Sequence, residues 1–258
     1  MSTYLDRIVA RHREVAAADR RSLDSLVEQA RTAPPTRGFR RALALTPELA
    51  VIAEVKRRSP SKGALDELLD PANLATAYAH GGASCLSVLT DAEFFGGSVA
   101  DLEAARDATV LPVLRKDFTV DPRDVADARL MGADAVLLIA AVLDELELID
   151  FVELAGELHL DALVEVHDEP ELEQALEAGA TTIGVNQRDL YTFEVDTDRA
   201  ERMAKAIPVG TVKVAESGIR DAYDAGRLAE AGYDAILVGE ALVTAPDPAV
   251  ALAKLRPG

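Results

Sequence analysis

A junction that recurs four times constrains this chain more than any other feature. It reads Gly82-Ala83-Ser84-Cys85, Gly132-Ala133-Asp134-Ala135, Gly179-Ala180-Thr181-Thr182 and Gly232-Tyr233-Asp234-Ala235. Each copy follows an amphipathic stretch and precedes an apolar run. Glycine accepts the left-handed backbone that ends many helices, so each copy reads as a helix-to-strand turn. The four glycines lie 50, 47 and 53 residues apart. A strand, a helix and two short loops need about 25 residues, so each interval holds two βα units.

The apolar runs fall where that spacing predicts: Val51–Val55, Cys85–Leu89, Leu111–Arg115, Ala135–Ile139, Ala162–Val166, Thr182–Asn186, Val212–Glu216 and Ala235–Gly239. Helical patterns such as Leu172, Ala175, Leu176 and Ala178 lie between them. Near-continuous apolar strands alternating with helices are parallel strands covered on their outer face. Eight such units in about 200 residues predict an α/β fold, a closed (β/α)8 TIM barrel. A doubly wound open sheet usually has fewer strands and a glycine-rich first turn; neither G-x-G-x-x-G nor a P-loop occurs here. Residues 1–48 read as an N-terminal helical extension and 49–258 as the barrel, one domain overall. Leu5, Ile8, Val9 and Val15 have helical spacing, a second pattern opens at Ser22-Leu23, and Pro34-Pro35 breaks it before Phe39. The extension either closes the bottom of the barrel or lies at its mouth as a lid, and the pattern favours neither.

The chain carries 45 acidic against 27 basic side chains, a net charge of −18. That argues against nucleic-acid and anionic-membrane surfaces as partners, since both favour clustered basic charge. Only six of the basic residues are Lys and 21 are Arg. Arg is the default surface cation, so a Lys at a strand end stands out as a compact ammonium with an adjustable pKa. Lys56 and Lys116 sit at such ends. Cys85, the single cysteine, lies in an apolar run and reads as a buried thiol with no disulfide partner in the chain. Met1 to Arg13 is too charged for a secretory signal. The longest apolar run, Ala135 to Leu143, falls short of the ~20 residues of a membrane helix. A cytoplasmic protein is expected.

In a barrel the carboxyl ends of different strands converge on one site. Read in order, they offer Glu54 and Lys56; Ser87, with Phe94-Phe95-Gly96-Gly97 beyond it; Lys116, then Asp117-Phe118; Leu137 and Ile139; Glu165; Asn186, then Arg188; Glu216-Ser217-Gly218; and Gly239. Strand side chains alternate faces, so Glu54 and Lys56 point the same way, as do Asn186 and Arg188. One such residue is readily a structural ion pair. Three carboxylates and two ammoniums from four strands favour a catalytic site over a structural network, because polar groups at the ends of apolar strands are costly to bury unpaired. Glycine turns after strands 7 and 8, at Ser217-Gly218 and Gly239, suit a phosphate, which backbone N–H groups can approach closely. Each turn alone is ordinary; the pair in those two places points to phosphate. Glu240 is an awkward neighbour for a dianion, so its carboxylate is expected to point away. The four histidines (His12, His80, His159, His167) show no metal-ligand spacing, and no metal site is expected. Asp134, Asp234 and His167 read as turn or cap residues.

These motifs together closely resemble the indole-3-glycerol-phosphate synthase family of tryptophan biosynthesis. The segments that carry the likeness are 52–63, 87–90 with 94–97, 112–118, 132–139, 163–167, 184–190 and 214–219. The resemblance implies conversion of 1-(2-carboxyphenylamino)-1-deoxyribulose 5-phosphate to indole-3-glycerol phosphate, carbon dioxide and water by a carboxy-lyase that uses no cofactor. It implies Lys116 as general acid, with Lys56 the alternative donor in a given step, and Glu165 as general base, with Glu54, Lys56, Glu216 and Asn186 supporting them. It places the phosphate against Ser217, Gly218 and Gly239, with Ser59 and Lys56 reaching in. It places the anthranilate ring among Phe95, Phe118, Leu137 and Leu190, helped by Arg188. The expected partner is this small anionic substrate, and the expected state is a monomer or weak dimer. Gln187 stands where an Asn is frequent, and Glu240 where a Ser often follows the strand-8 glycine. Two neighbouring ammoniums should depress each other's pKa. Phosphoribosylanthranilate isomerase is the nearest enzymatic rival, but it uses a Cys/Asp pair, and Cys85 lacks that context. A non-catalytic sugar-phosphate sensor would tolerate Lys116→Ala and Glu165→Gln.

Overall fold

The computed structural model describes residues 3–60 and 62–256; the outermost residues of both predicted segments, 1–2 and 257–258, lie outside them. Eight parallel strands close on themselves: β1 (Ala50–Val55), β2 (Cys85–Leu89), β3 (Val113–Lys116), β4 (Ala135–Ile139), β5 (Asp161–Val166), β6 (Thr182–Asn186), β7 (Val212–Glu216) and β8 (Ala235–Val238). β1 pairs with both β2 and β8, so no edge is left open. The expected runs are correct to within two residues at each end. β3 starts at Val113 rather than Leu111 because Pro112 has no N–H to give the ladder. β8 stops at Val238, and Gly239 caps the four-residue helix Glu240–Val243. After β1 the chain makes a two-stranded antiparallel hairpin, Arg58–Ser59 with Gly63–Ala64, that the apolar pattern does not announce.

The recurring glycines do what their spacing predicts. Gly82, Gly132, Gly179 and Gly232 all have φ between 80° and 91°. At the opposite ends of the outer helices, Asp70, Asp121, Asp144, Asp168, Asp221 and Asp247 each cap with a side-chain oxygen. A carboxylate there satisfies free N–H groups and sits well with the helix dipole. Part of the large acidic excess is therefore spent on helix starts.

Alternation divides the apolar residues into two cores. Outward strand residues such as Val51, Leu86, Val136 and Val164 pack beneath the helices. Inward ones fill the barrel. Strand pairing matches Glu54 with Ser87, Leu89 with Lys116, Ile139 with Glu165 and Asn186 with Glu216. The stagger of a closed barrel brings inward residues of alternate strands to one height. Ile52, Leu114, Leu163 and Val214, none of them accessible to solvent, form one such layer. Two residues further along the same four strands stand Glu54, Lys116, Glu165 and Glu216. The topmost layer of odd-numbered strands is thus wholly charged, on an apolar layer of identical origin.

The N-terminal segment reaches both ends of the barrel. Helix α1 (Tyr4–Ala18) lies at the mouth, helix α2 (Leu23–Arg31) packs on the outer helix Pro122–Leu130, and helix α3 (Phe39–Ala44) plugs the bottom. Arg21 ties the start of α2 to Asp127 at 2.7 Å. Phe39 and Leu43 are buried against the lower barrel. Backbone N–H groups of Arg37 and Arg40 are taken by Asp134 and Asp161 at 2.7 and 2.8 Å. These two aspartates stand at the starts of β4 and β5, and Asp234 takes the Lys213 N–H at 2.8 Å at the start of β8. Asp134 and Asp234 are thus the turn residues their sequence setting suggests, and Asp161 does the same work. No helix among the described residues is long and apolar enough to cross a membrane.

Candidate active site

The carboxyl ends of the strands open into a cavity of about 660 Å³, within the usual range for small-molecule sites. Every site residue expected from sequence lies on its wall: Glu54, Lys56, Ser59, Phe95, Lys116, Phe118, Leu137, Glu165, Asn186, Arg188, Leu190, Glu216, Ser217, Gly218 and Gly239. Ser87, the other polar strand-end residue, is buried and is not on that wall.

Lys116 is the hub. Its Nζ donates to Glu165 Oε2 at 2.9 Å and to Glu216 Oε2 at 3.0 Å. Asn186 Nδ2 donates to Glu165 Oε1 at 2.9 Å, and the Asn186 Oδ1 accepts the Arg188 N–H at 3.0 Å. Glu54 pairs with Lys56, its neighbour on the same strand face. Glu54, Glu165 and Glu216 are each no more than 3 % exposed. Two glycines make room for this packing. A Cβ on Gly184 would overlap Glu216 Oε1, and one on Gly239 would overlap Glu54 Oε1 and crowd Lys56 Nζ.

The electrostatics reverse one expectation. Burial alone would lower the pKa of Lys116, but Glu165, Glu216 and Glu54 outweigh it and hold the ammonium above its ordinary value. Lys116 is therefore surrounded by carboxylates, not depressed by Lys56, which is itself paired with Glu54. The two carboxylates on Lys116 diverge. Burial would raise Glu165, yet Lys116, His167 and the Asn186 hydrogen bond pull it below the ordinary carboxylate range. Glu216 goes up, because burial and the neighbouring charges of Glu165 and Glu54 exceed the pull of Lys116. Two carboxylates on one ammonium are thus set to different proton affinities by their surroundings.

An apolar wall faces this cluster. The rings of Phe95 and Phe118 lie 6.3 Å apart, and His12 from α1 stacks on Phe118 at 5.5 Å. Leu137 and Leu190 complete the slot, and Arg188 holds the next loop by donating to the Phe193 carbonyl at 3.1 Å. Across the cavity, Ser217 and Gly218 have φ of 66° and 74°. For serine that conformation is strained by about 1 kcal/mol or more. Gln187, directed away from the cavity, braces the turn by donating to the Ser217 carbonyl at 2.7 Å. Glu240 stands on the rim and pairs with Lys62 at 3.4 Å.

Some participants escaped the sequence reading. Tyr4, Leu5 and Ile8 of α1 line the cavity. Three successive α1 residues fasten the helix there. Arg11 pairs with Glu93 at 3.1 Å, His12 with Asp91 at 3.0 Å, and Arg13 with Glu147 at 2.6 Å. His12, Asp91 and Asp117 converge closely enough to resemble a cation site. Their atoms are already engaged, however: Asp117 accepts from Thr90, Arg115 and the Phe118 N–H. His167, assigned to a turn, stands 3.6 Å from Glu165. Its position two residues past Glu165 was the available signal. Cys85 lies inside the barrel, 3.7 Å from the Phe39 carbonyl and in register with Ile52, below the charged layer; burial raises its thiol pKa.

Comparison with known proteins gives a consistent answer. The sequence model described as indole-3-glycerol phosphate synthase matches residues 5–255. A curated relative of that name from Mycolicibacterium smegmatis is 50% identical over 256 residues, 98% of this chain and 94% of its own. One from Desulfotalea psychrophila is 48% identical over 258 residues, 99% of each chain, and one from Parafrankia is 52% identical over 88% of this chain and 84% of its own. Among solved structures, a thiamine phosphate pyrophosphorylase from Pyrococcus furiosus matches with a TM-score of 0.61 at 18% identity, covering 80% of this chain and 93% of its own. An N-acetylmannosamine-6-phosphate 2-epimerase from Clostridium perfringens matches at 0.60 and 15%, covering 78% and 90%. Those two support the barrel fold alone.

Proposed function

The chain belongs to the indole-3-glycerol phosphate synthase family, and from that premise we propose that it closes the indole ring of 1-(2-carboxyphenylamino)-1-deoxyribulose 5-phosphate, with loss of carbon dioxide and water, as a carboxy-lyase. The observation that carries the reading is the Lys116 ammonium, held between Glu165 and Glu216 on the floor of a cavity with an aromatic wall.

The substrate phosphate docks at Ser217, Gly218 and Gly239, with Ser59 and Lys56 at its other side. The anthranilate ring enters the slot of Phe95, Phe118, Leu137 and Leu190, and Arg188 faces its carboxylate. Held so, the ring carbon bearing the carboxylate attacks the ketone carbon, and the carbonyl electron pair moves to oxygen. Lys116 gives that oxygen its proton. The high proton affinity of Lys116 in the free enzyme keeps it fully charged until the far more basic alkoxide develops beside it. The carboxylate then departs as carbon dioxide and returns its bonding pair to the iminium formed in the attack. The new hydroxyl leaves as water on a second proton, delivered by Lys116 after it is recharged from solvent, and Glu165 removes one of the two protons on the carbon beside the nitrogen, whose bonding pair completes the aromatic ring. Glu165, ionised at neutral pH by its partners, is the group suited to that last step. Glu54, Lys56 and Glu216 hold Lys116 and the intermediates in place, and Asn186 orients Glu165.

The test is a fluorescence assay of indole product from the purified chain and the carboxyphenylamino substrate. Folded wild type should turn over, and Lys116→Ala should abolish turnover while still binding substrate. Absence of product from folded wild type refutes the assignment.

A further inference from the structure

His167 follows β5 directly, with a side chain only 11% exposed. Its Nδ1 lies 2.9 Å from Glu171 Oε2, and the same oxygen accepts the His167 backbone N–H at 2.7 Å. Two contacts to one carboxylate oxygen fix the ring and place a proton on Nδ1. Nε2 then faces Glu165 Oε1 across 3.6 Å, buried and without a hydrogen-bond partner. A buried ring nitrogen left open toward a carboxylate requires an explanation.

The two carboxylates on Lys116 differ in their surroundings. Glu165 receives Lys116 on one oxygen and Asn186 on the other, with the His167 ring beyond. Glu216 receives Lys116 on Oε2, while its Oε1 is buried with no partner. Negative charge is favoured where donors converge, and a proton is favoured on the carboxyl with a bare oxygen. The charges that face His167 are Glu165 on its own strand, Glu171 on the following helix, and Arg199, which opposes its protonation. Burial also disfavours the charged ring, but Glu171 and Glu165 outweigh both, so the open Nε2 takes up the ring's second proton, toward Glu165, more readily than an ordinary histidine.

We propose that His167, braced by Glu171, is a positioning residue that keeps Glu165 ionised and directs the first proton taken up by the Lys116 cluster to Glu216. The catalytic consequence rests on the base role proposed for Glu165; the proton placement stands apart from it.

The experiment is a titration of glutamate side-chain carboxyls by ¹³C NMR in full-length ligand-free protein, with Glu165 and Glu216 assigned through E165Q and E216Q. Wild type should protonate Glu216 at higher pH than Glu165. In H167Q the Glu165 midpoint should rise by about one pH unit or more, tenfold in proton affinity, and E171Q should move it the same way. The acid limb of the kcat–pH profile should follow. A Glu165 midpoint unmoved in both variants, or a wild type that protonates Glu165 first, overturns the proposal. Should H167Q not fold, E171Q, at a helix position 20% exposed, carries the test alone. A wild type with the expected titrations but no turnover supports the proton placement and refutes the assigned reaction.

Discussion

Replacing Lys116 by Met keeps the length of the side chain and removes the ammonium that touches both Glu165 and Glu216, at 2.9 and 3.0 Å. Removing one partner from a buried ion pair costs about 3–5 kcal/mol, chiefly because the remaining charge is stranded. For a chain of this size that lowers Tm by about 10 °C. The loss must depend on pH, and its sign follows from the carboxylates. Without Lys116, both folded-state pKa values lie above the unfolded value of about 4.3. A group raised in this way contributes stability that is fully present below its unfolded pKa and lost as pH rises through its folded one. In wild type only Glu216 is raised; Glu165 is lowered, so its contribution is lost only on acidification. The gap between wild type and K116M should therefore widen from pH 5 to pH 8. We expect about 10 °C at pH 8 and about a third of that at pH 5, where protonated carboxyls leave only lost hydrogen bonds and packing. Thermal melts of both proteins across that range give the answer. An equal gap at the two pH values, or a wider one at pH 5, refutes the view that Lys116 neutralises a buried pair.

Three other perturbations probe separate parts of the molecule. His12→Phe keeps the ring stack on Phe118 but loses Asp91. Burial disfavours the His12 charge, yet the Asp91 hydrogen bond and Asp117 raise its pKa overall. Its stabilisation is thus full below about pH 6.5 and fades as pH rises, so hydrogen-exchange protection of α1 should differ between wild type and variant by on the order of 1 kcal/mol at pH 6 and by less at pH 9; an equal difference argues against the ion pair. Gly239→Ala, at a φ of −118° that any residue can adopt, should push Glu54 and Lys56 aside and lower kcat by about a hundredfold, and an unchanged kcat means the pair is not needed in that place. Asp134→Ala strips Arg37, Arg106 and Val113 of a shared buried acceptor; it should cost about 3–5 kcal/mol in urea denaturation with kcat/KM unchanged, since it lies at the opposite end of the barrel.

The fold and the site were legible to different depths, for physical reasons. Gly82, Gly132, Gly179 and Gly232 exposed the eight-fold repeat because a left-handed helix end is a local requirement, written at one position. Alternation is local too, and it put Glu54 and Lys56 on one face without knowledge of the neighbouring strands. The relation of Lys116 to Glu165 and Glu216 is not local. It depends on the stagger accumulated around a closed sheet, which raises residues 62 positions apart (Glu54 and Lys116) to one height and no single strand records. Reading strand ends as a set names charges that the fold brings to one cavity wall but not their pairing, so Lys116 is expected to feel Lys56 when it feels three carboxylates. His167 was missed from the opposite direction. The alternation that joined Glu54 to Lys56 and Asn186 to Arg188 also joins Glu165 to His167, but a histidine just past a strand is more often a cap, and only the covered ring and the open Nε2 distinguish the two cases. The extension could not be placed because its three helices do three things: α1 supplies apolar wall at the mouth, α2 covers a flank, and α3 plugs the floor. Each is amphipathic, and amphipathicity says that a face is buried without saying against what. The polar top layer follows from the same logic. A barrel whose interior is filled by apolar layers has no route for water to its core, so charges belong only in the last layer before solvent. There a carboxylate can be desolvated enough to have its proton affinity set by its neighbours while substrate still reaches it. In this chain the odd-numbered strands meet both conditions at one height only, that of Glu54, Lys116, Glu165 and Glu216.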